Sequence, residues 1–323
     1  MKFKIDFDIE PLHPKINHAD VLFFVGSCFA ENIAAKLYEN KFNVHLNPNG
    51  IIFNPISIFN MIDMLCDDKR AEEGDYIQSD EMWYSFQHHS IVRASTKEEL
   101  MLSLDQIHLD AKAALMQAKH IVITMGSAWV YEHIITKKIV ANCHKVPQNQ
   151  FTKRLLSTEE IISAFEQMFK KLKVFNPEIH IVLTVSPVKY LRDGVIENNL
   201  SKSTLLLAAN TLKEKYHLNY FPAFEIVNDE LRDYRFYDSD LAHPSAIAID
   251  YVWDRFVETC MSSESILLMK QLDEIIKAYK HRPFNEEALP HKNFKKRYLQ
   301  KAKQLNIDYP YLDLRDEILY FSV

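Results

Sequence analysis

Val21-Leu22-Phe23-Phe24-Val25-Gly26-Ser27-Cys28-Phe29-Ala30-Glu31 sets an unbroken apolar run directly against a small polar turn and the start of a helix-period segment. A run of strand length with no polar alternation is a strand covered on both faces. Similar runs recur at Asn43-Leu46, His120-Met125, Ile179-Val185 and Leu218-Phe221. Between them lie helix-period segments at Phe29-Asn40, Ile56-Leu65, Lys97-Gln117, Thr158-Val174 and Lys202-Tyr216, the fourth opened by Ser157 with Glu160 in capping-box spacing. Alternation of this kind predicts an α/β fold, a three-layer α/β/α sandwich around a mostly parallel sheet of about five strands. In such sheets the reacting groups sit on loops at the C-terminal ends of the strands.

Beyond the last strand, Pro244-Thr259 and Glu264-His281 read as helices, followed by a lysine-rich segment, His291-Leu305, and an aromatic tail. The expected division is therefore a main domain over 1–280 and a helical extension over 281–323 packed on it. Asp67-Arg93 has little periodicity but carries Trp83, Tyr84, Phe86, His88 and His89, which predicts a long ordered insertion.

Composition narrows the function. Lys and Arg number 38 against 44 Asp and Glu, a net charge of -6 with no basic block, which gives a nucleic-acid surface no electrostatic support. The N-terminus lacks the apolar core of a secretory signal and no run approaches membrane-span length, so the expectation is a cytoplasmic protein without a membrane partner. The four cysteines, Cys28, Cys66, Cys143 and Cys260, form no CxxC pair, and neither a phosphate-cradling loop nor a dinucleotide fingerprint is present. No metal and no cofactor are expected. Cys143 and His144 are adjacent, and adjacent residues rarely point at one ion.

Two segments carry chemistry. Cys28 falls at a helix N-terminus, where the dipole and free amides stabilise a thiolate and can donate to a developing oxyanion. The alternative is a small buried hydrophobe, with Ser27 only capping the helix. In Asp240-Leu241-Ala242-His243-Pro244-Ser245 a carboxylate stands three positions before an imidazole, ahead of a helix that Pro244 can open as its first residue. Asp240 can hold one ring nitrogen of His243 and leave the other free to accept a proton; the alternative is a surface Asp beside a capping His.

A Gly, a small polar residue and a nucleophile closing the first strand, with a late Asp-x-x-His, resemble the SGNH or GDSL hydrolase superfamily. The literal string Gly26-Ser27-Cys28-Phe29-Ala30 more specifically resembles the GSCFA family, over about Lys2 to Lys280. Asn47-Pro48-Asn49-Gly50, Gly126-Ser127-Ala128-Trp129, Asn142-Cys143-His144-Lys145 and Ser186-Pro187-Val188 fit the same pattern. The resemblance implies that Cys28 stands where the nucleophilic serine does, and Ser27 where the aspartate does. A register shifted by one residue would make Ser27 the attacking group.

The resemblance also implies an oxyanion site built from the Cys28 amide, the Gly50 amide and a side chain near Gly126. The superfamily's asparagine in that third block is replaced here by the Ser127-Ala128 sequence, for which Ser127 and Asn49 are the nearest substitutes. His89, His144 and Trp129 are further candidates for lining the site, each with an equally good packing role. The implied activity is hydrolysis or transfer of an acyl group, such as acetyl on a carbohydrate, through Cys28, His243 and Asp240 by way of a thioester. The partner would be a small-molecule or carbohydrate ester. The competing reading is an inactive binding protein that kept the fold and pocket.

Overall fold

The computed structural model describes residues 4–285 and 288–322, so the first residues of the family-like span, including Lys2, lie outside the described residues. In chain order come β1 (Val21–Gly26), α1 (Cys28–Glu39), β2 (Asn43–Leu46), α2 (Pro55–Asp67), β3 (Tyr76–Ser79), β4 (Met82–Ser85), α3 (Lys97–Gln117) and β5 (Ala118–Met125). There follow β6 (Trp129–His133), β7 (Ile139–Val140), β8 (Phe151–Leu155), α4 (Thr158–Phe175), β9 (His180–Val185), α5 (Val195–Tyr216) and β10 (Asn219–Tyr220). A short α6 (Ala223–Glu225) continues as a π-helical turn over Ile226–Leu231, and α7 (Ala246–Cys260), α8 (Ser263–Lys280), α9 (Leu289–Asp308) and α10 (Arg315–Ser322) complete the chain.

The main sheet has five strands in the order β10-β9-β5-β1-β2, and every neighbouring pair is parallel. Chain direction across the sheet reverses beside β1, so the crevice outside the C-terminal ends of β1 and β5 is the topological switch point where open α/β sheets hold their ligands. Alternate residues of β1 explain its unbroken apolar run. Leu22 and Phe24 enter a core with Phe29, Ile33 and Leu37 of α1 and Val252 and Phe256 of α7. Phe23 and Val25 enter the opposite core with Ile58 and Ile62 of α2, Leu115 of α3, Phe165 of α4 and Leu205 of α5. The three-layer α/β/α sandwich expected from the sequence is thus the observed architecture.

Several boundaries differ from the sequence reading. The helix expected from Lys202 starts at Val195, because Asn198 and Ser201 are buried polar residues that break the apolar period yet belong to the first turns. The last helix of the main domain starts at Ala246 with Ser245 as its cap, while Pro244 lies one position outside, in a β-bridge to Tyr237. The insertion after Asp67 contains the β3-β4 hairpin. A three-stranded antiparallel sheet, β7-β6-β8, had no counterpart in the sequence reading. Its strands are short and carry half-exposed, charged sequences such as Phe151–Leu155, without a clean period. Phe86, Val140, Val146 and Phe151 form a small core that joins this sheet to the hairpin.

At the C-terminus, α8 is shared between two units. Its residues Leu268, Leu272 and Ile275 pack with Ala302 and Leu305 of α9 and with Phe321 of α10. Lys41, just past α1, pairs with the buried Glu317 of α10 at 2.6 Å and fixes this helical unit to the sandwich. No helix among the described residues is long and apolar enough to cross a membrane.

The close approach of β1 and β5, which lie side by side in the sheet, leaves no space at Gly26. It has a φ of +131°, and a Cβ placed there would lie 2.0 Å from the carbonyl oxygen of Thr124. Gly26→Ala should cost about 3 kcal/mol or more through forced backbone displacement. Gly74, where an added Cβ would lie 3.6 Å from Thr136 Cγ2, should tolerate alanine to within about 0.5 kcal/mol. Denaturant midpoints of the two variants check this contrast, and equal midpoints would refute it.

Candidate active site at the carboxyl edge of the sheet

At the end of β1 the chain turns sharply into α1. Ser27 is the helix N-cap residue in extended conformation, but its hydroxyl makes no capping bond. The side chain is instead 1% exposed, faces Gly126, and leaves Oγ without a partner. The main chain holds the turn: Ser27 N–H donates to Thr124 O at 3.1 Å, and Gly26 N–H donates to Asn47 Oδ1 at 2.9 Å. Cys28, by contrast, is partly exposed and is the first residue of the helix.

The thiol does not behave as the helix dipole alone predicts. Burial pushes it above its ordinary pKa and Glu31 adds to the rise, while the amides of Cys28 and Phe29 and the Lys202 ammonium favour the thiolate without overcoming burial. The correction has a simple cause, since a partly desolvated sulfur one turn from a carboxylate loses more hydration than the helix terminus returns. The same terminus still presents the N–H groups of Cys28 and Phe29 to the sulfur.

The Asp240–His243 pair is fully formed. Asp240 Oδ2 accepts from His243 Nδ1 at 2.6 Å, and Oδ1 accepts from the amides of Ala242 and His243 at 2.9 and 3.0 Å. These amide and imidazole donors hold the Asp240 carboxyl well below the usual carboxylate range. With Nδ1 engaged, Nε2 is the nitrogen left to exchange protons. The loop carrying the pair is pinned to the segment after β9, where Lys189 N–H donates to Ala242 O at 3.0 Å. It therefore stands at the same edge of the sheet as Cys28. No hydrogen bond joins Cys28 and His243 among the described residues.

The remaining sequence candidates divide by their partners. The Gly50 amide, at φ +73°, is closed into a turn by donating to Asn47 O at 2.7 Å. Asn49 donates to Gln87 O at 3.1 Å, and Ser127 Oγ accepts from Trp129 N–H at 3.1 Å and lies 3.3 Å from Ser201 Oγ. Gly126 allows the close approach of Ser27, with a hypothetical Cβ only 3.1 Å from the serine Cβ. His89 packs on Gly50 and sits half-buried beside the turn. His144 is buried, hydrogen-bonded through Nε2 to Ser85 O at 2.7 Å and stacked on Tyr84, which is a structural role.

Beside these residues opens a cavity of about 470 Å³, lined among others by Phe53, Ser127, Trp129, Tyr131, Cys143, His144, Tyr190 and Arg192. Cys28 is not among its lining residues. Ser127 forms the junction, being next in sequence to the Gly126 that touches Ser27. The small β7-β6-β8 sheet supplies Trp129 and Tyr131 to the wall, so the element missed in the sequence is the one that builds the cavity. No cluster of three metal-ligating side chains occurs among the described residues.

Two further side chains were not singled out in the sequence. Asn47 accepts from Gly26 N–H through Oδ1 while its buried Nδ2 has no partner. Lys202, on α5, is 2% exposed, and its amine donates to Gly126 O and to Ser186 O, both at 2.7 Å. Burial without a carboxylate pushes its pKa down to about 7. The signal was available: Lys202 stands in the apolar stripe Leu205, Ala209, Leu212, where a lysine is costly unless it is used. Because the Ser27 hydroxyl is buried without a partner, Ser27→Ala should leave stability unchanged or raise it by up to about 1 kcal/mol. Thermal denaturation checks this, and a clear loss of stability would reveal a hidden partner for Oγ.

The sequence model of the GSCFA family matches residues 21–256, and that of the GSCFA domain protein, C-terminal domain, matches residues 272–322. No curated protein matches the chain. Among solved structures, a "putative GDSL-like lipase" from Parabacteroides merdae ATCC 43184 is similar at 16% identity, covering 76% of this chain and 99% of that one with a TM-score of 0.39. The family match begins at the first residue of β1, takes in the Gly26–Ala30 turn and the Asp240–His243 loop, and spans most of the sandwich: the chain belongs to the GSCFA family.

Proposed function

We propose that the chain is a hydrolase-like enzyme that cleaves or transfers an acyl ester through a cysteine nucleophile. The observation that carries this reading is the placement of Cys28. Its thiol stands at the switch point of a parallel sheet, on the first residue of a helix, with the amides of Cys28 and Phe29 turned toward sulfur. Groups so placed can receive the charge that develops on an ester carbonyl oxygen under attack. Ser27 is a poor rival, since its hydroxyl is buried against Gly126 and out of reach of a substrate.

In this reading the ester carbonyl carbon is attacked by Cys28 Sγ, the carbon–oxygen bond to the leaving alcohol breaks, and a thioester forms. Water or an acceptor hydroxyl then releases the acyl group. The Asp240–His243 pair supplies acid–base capacity at the same edge, with Nε2 available to take the Cys28 thiol proton, to give it to the departing alcohol and to activate the incoming hydroxyl. The aromatic-walled cavity suits a ring-shaped alcohol such as a sugar, and a carbohydrate O-acetyl ester is the substrate class favoured here.

A second reading, a binding protein that kept the pocket, is favoured by one specific observation. The Gly50 amide, the second oxyanion donor implied by the superfamily, is already engaged by Asn47 O. Losing one such donor costs on the order of a hundredfold to a thousandfold in rate. Intact-mass analysis after incubation with activated acyl esters separates the two. The wild type should gain the mass of one acyl group and Cys28→Ala should not. Identical spectra for both proteins across a broad ester panel would leave the binding reading standing.

A further inference from the structure

We propose that the alcohol half of the ester is an acidic carbohydrate, whose carboxylate or phosphate group is held in the aromatic-walled cavity by Arg192. The inference rests on the reading of this cavity as the seat of the ester's alcohol, and it names the charge which that alcohol carries.

The lining of the cavity is the first support. The chain as a whole is acidic, with 44 Asp and Glu against 38 Lys and Arg. Among the described residues, however, no Asp or Glu lines this cavity, while Arg192 and Lys145 both do. A concave wall with cations and no carboxylate, set in a molecule of net negative charge, is a local positive field that draws an anion inward. A neutral sugar would need no such exclusion of acidic side chains.

The second support is that one of the two cations is unspent. Lys145 is matched to Asp80 at 3.1 Å. Arg192 forms no ion pair with a carboxylate among the described residues. Its neighbour Asp193, the carboxylate best placed to quench it, is taken instead by Lys153 of β8. Lys153 stands opposite Tyr131 in the β6-β8 ladder, with its ammonium 4.9 Å from the Trp129 ring centroid, so the Lys153–Asp193 pair is built into the cavity wall. The Arg192 side chain bonds the Tyr190 hydroxyl, which belongs to the same wall. A guanidinium has five N–H donors in a planar fork, and one phenol oxygen leaves most of them free. That fork matches the two oxygens of a carboxylate or phosphate.

The uncharged groups supply the rest of a sugar site. Trp129 and Tyr131 are two positions apart on β6, so they lie on one face of the strand and bring ring surface to the cavity. Asn142 uses Oδ1 to accept from His144 N–H at 2.9 Å, which leaves its amide donors for a ligand, and the Gln148 side chain has no hydrogen bond to protein among the described residues. Amides of this kind meet hydroxyl groups equally well as donors and acceptors. The volume of about 470 Å³ falls within the roughly 300–1,000 Å³ usual for small-molecule sites.

The test separates binding from chemistry by using sugars that carry no ester. Calorimetric titration of the wild type with glucuronate, glucose 6-phosphate and glucose compares a carboxylate, a phosphate and a neutral form of one ring. At least one anion should bind about tenfold or more tighter than glucose, and which anion does so tells carboxylate from phosphate. Salt at about 1 M should erode the preference, because Arg192 is exposed. Arg192→Gln should bring the anions to within about twofold of glucose without weakening glucose itself, and Arg192→Lys should keep part of the preference. Failure of both anions to bind more tightly than glucose, including no binding of any of the three, overturns the proposal. So does an anion preference that survives in Arg192→Gln. None of these ligands can acylate Cys28, so the two readings fail separately. Anion selectivity without an acyl-enzyme in the intact-mass experiment would sink the ester chemistry and keep the acidic-sugar cavity, and an acyl-enzyme without anion selectivity would do the reverse.

Discussion

The contact between the end of β1 and the end of β5 sets the position of everything at the carboxyl edge. With Gly26 unable to carry even a methyl group, the two backbones run into each other's van der Waals surface at Thr124, and β1 must stop and turn there. The turn delivers the first residue of α1 to the switch point of the sheet. Ile52 N–H donates to Gly26 O at 3.0 Å and Phe53 O accepts from both Gly126 and Ser127 amides at 2.8 and 2.9 Å, so the loop after β2 is fastened to the same spot. Three strand ends are thereby fixed relative to one another by main-chain bonds that no side-chain substitution removes.

Onto this frame the chain places polar groups that a purely structural core would not tolerate. Lys202, Ser27 and Asn47 all lie within or against the apolar layers, and two of the three keep a polar atom unsatisfied. Removing a buried donor's partner costs about 1–3 kcal/mol. Fold stability alone gives no reason to keep them, and they cluster where the topology puts ligand chemistry. The Asp240–His243 loop differs in kind: it is exposed and internally satisfied, and it is tied to the edge by the main-chain bond from Lys189.

Most of the sandwich was legible because its strands are buried on both sides and its helices carry apolar stripes, so sequence period and tertiary environment agree. Cys28, Asp240 and His243 were legible because a family string and a short turn spell them locally. The β7-β6-β8 sheet was not, since two-residue and five-residue strands with charged outward faces leave no period to read. Lys202 was hidden for the opposite reason. The apolar period places the start of its helix at Lys202 itself, so a residue buried in the second turn looks like a solvated N-terminal one. The thiol's environment was misjudged because a helix terminus is visible in sequence and the extent of desolvation is not.

One helix connects the reactive edge with the far end of the chain. The residue that opens α1 is Cys28, and the residues at and just beyond its other end are held by the last three helices, through Lys41 to Glu317 of α10 and more loosely Glu39 to Lys280 of α8 at 3.5 Å. A rigid rod twelve residues long, anchored at its tail, cannot tilt without dislodging that anchor. The terminal helices therefore act as a counterweight at the tail of this rod, some 18 Å from the end that carries the sulfur, at the roughly 1.5 Å of rise that each helical residue adds.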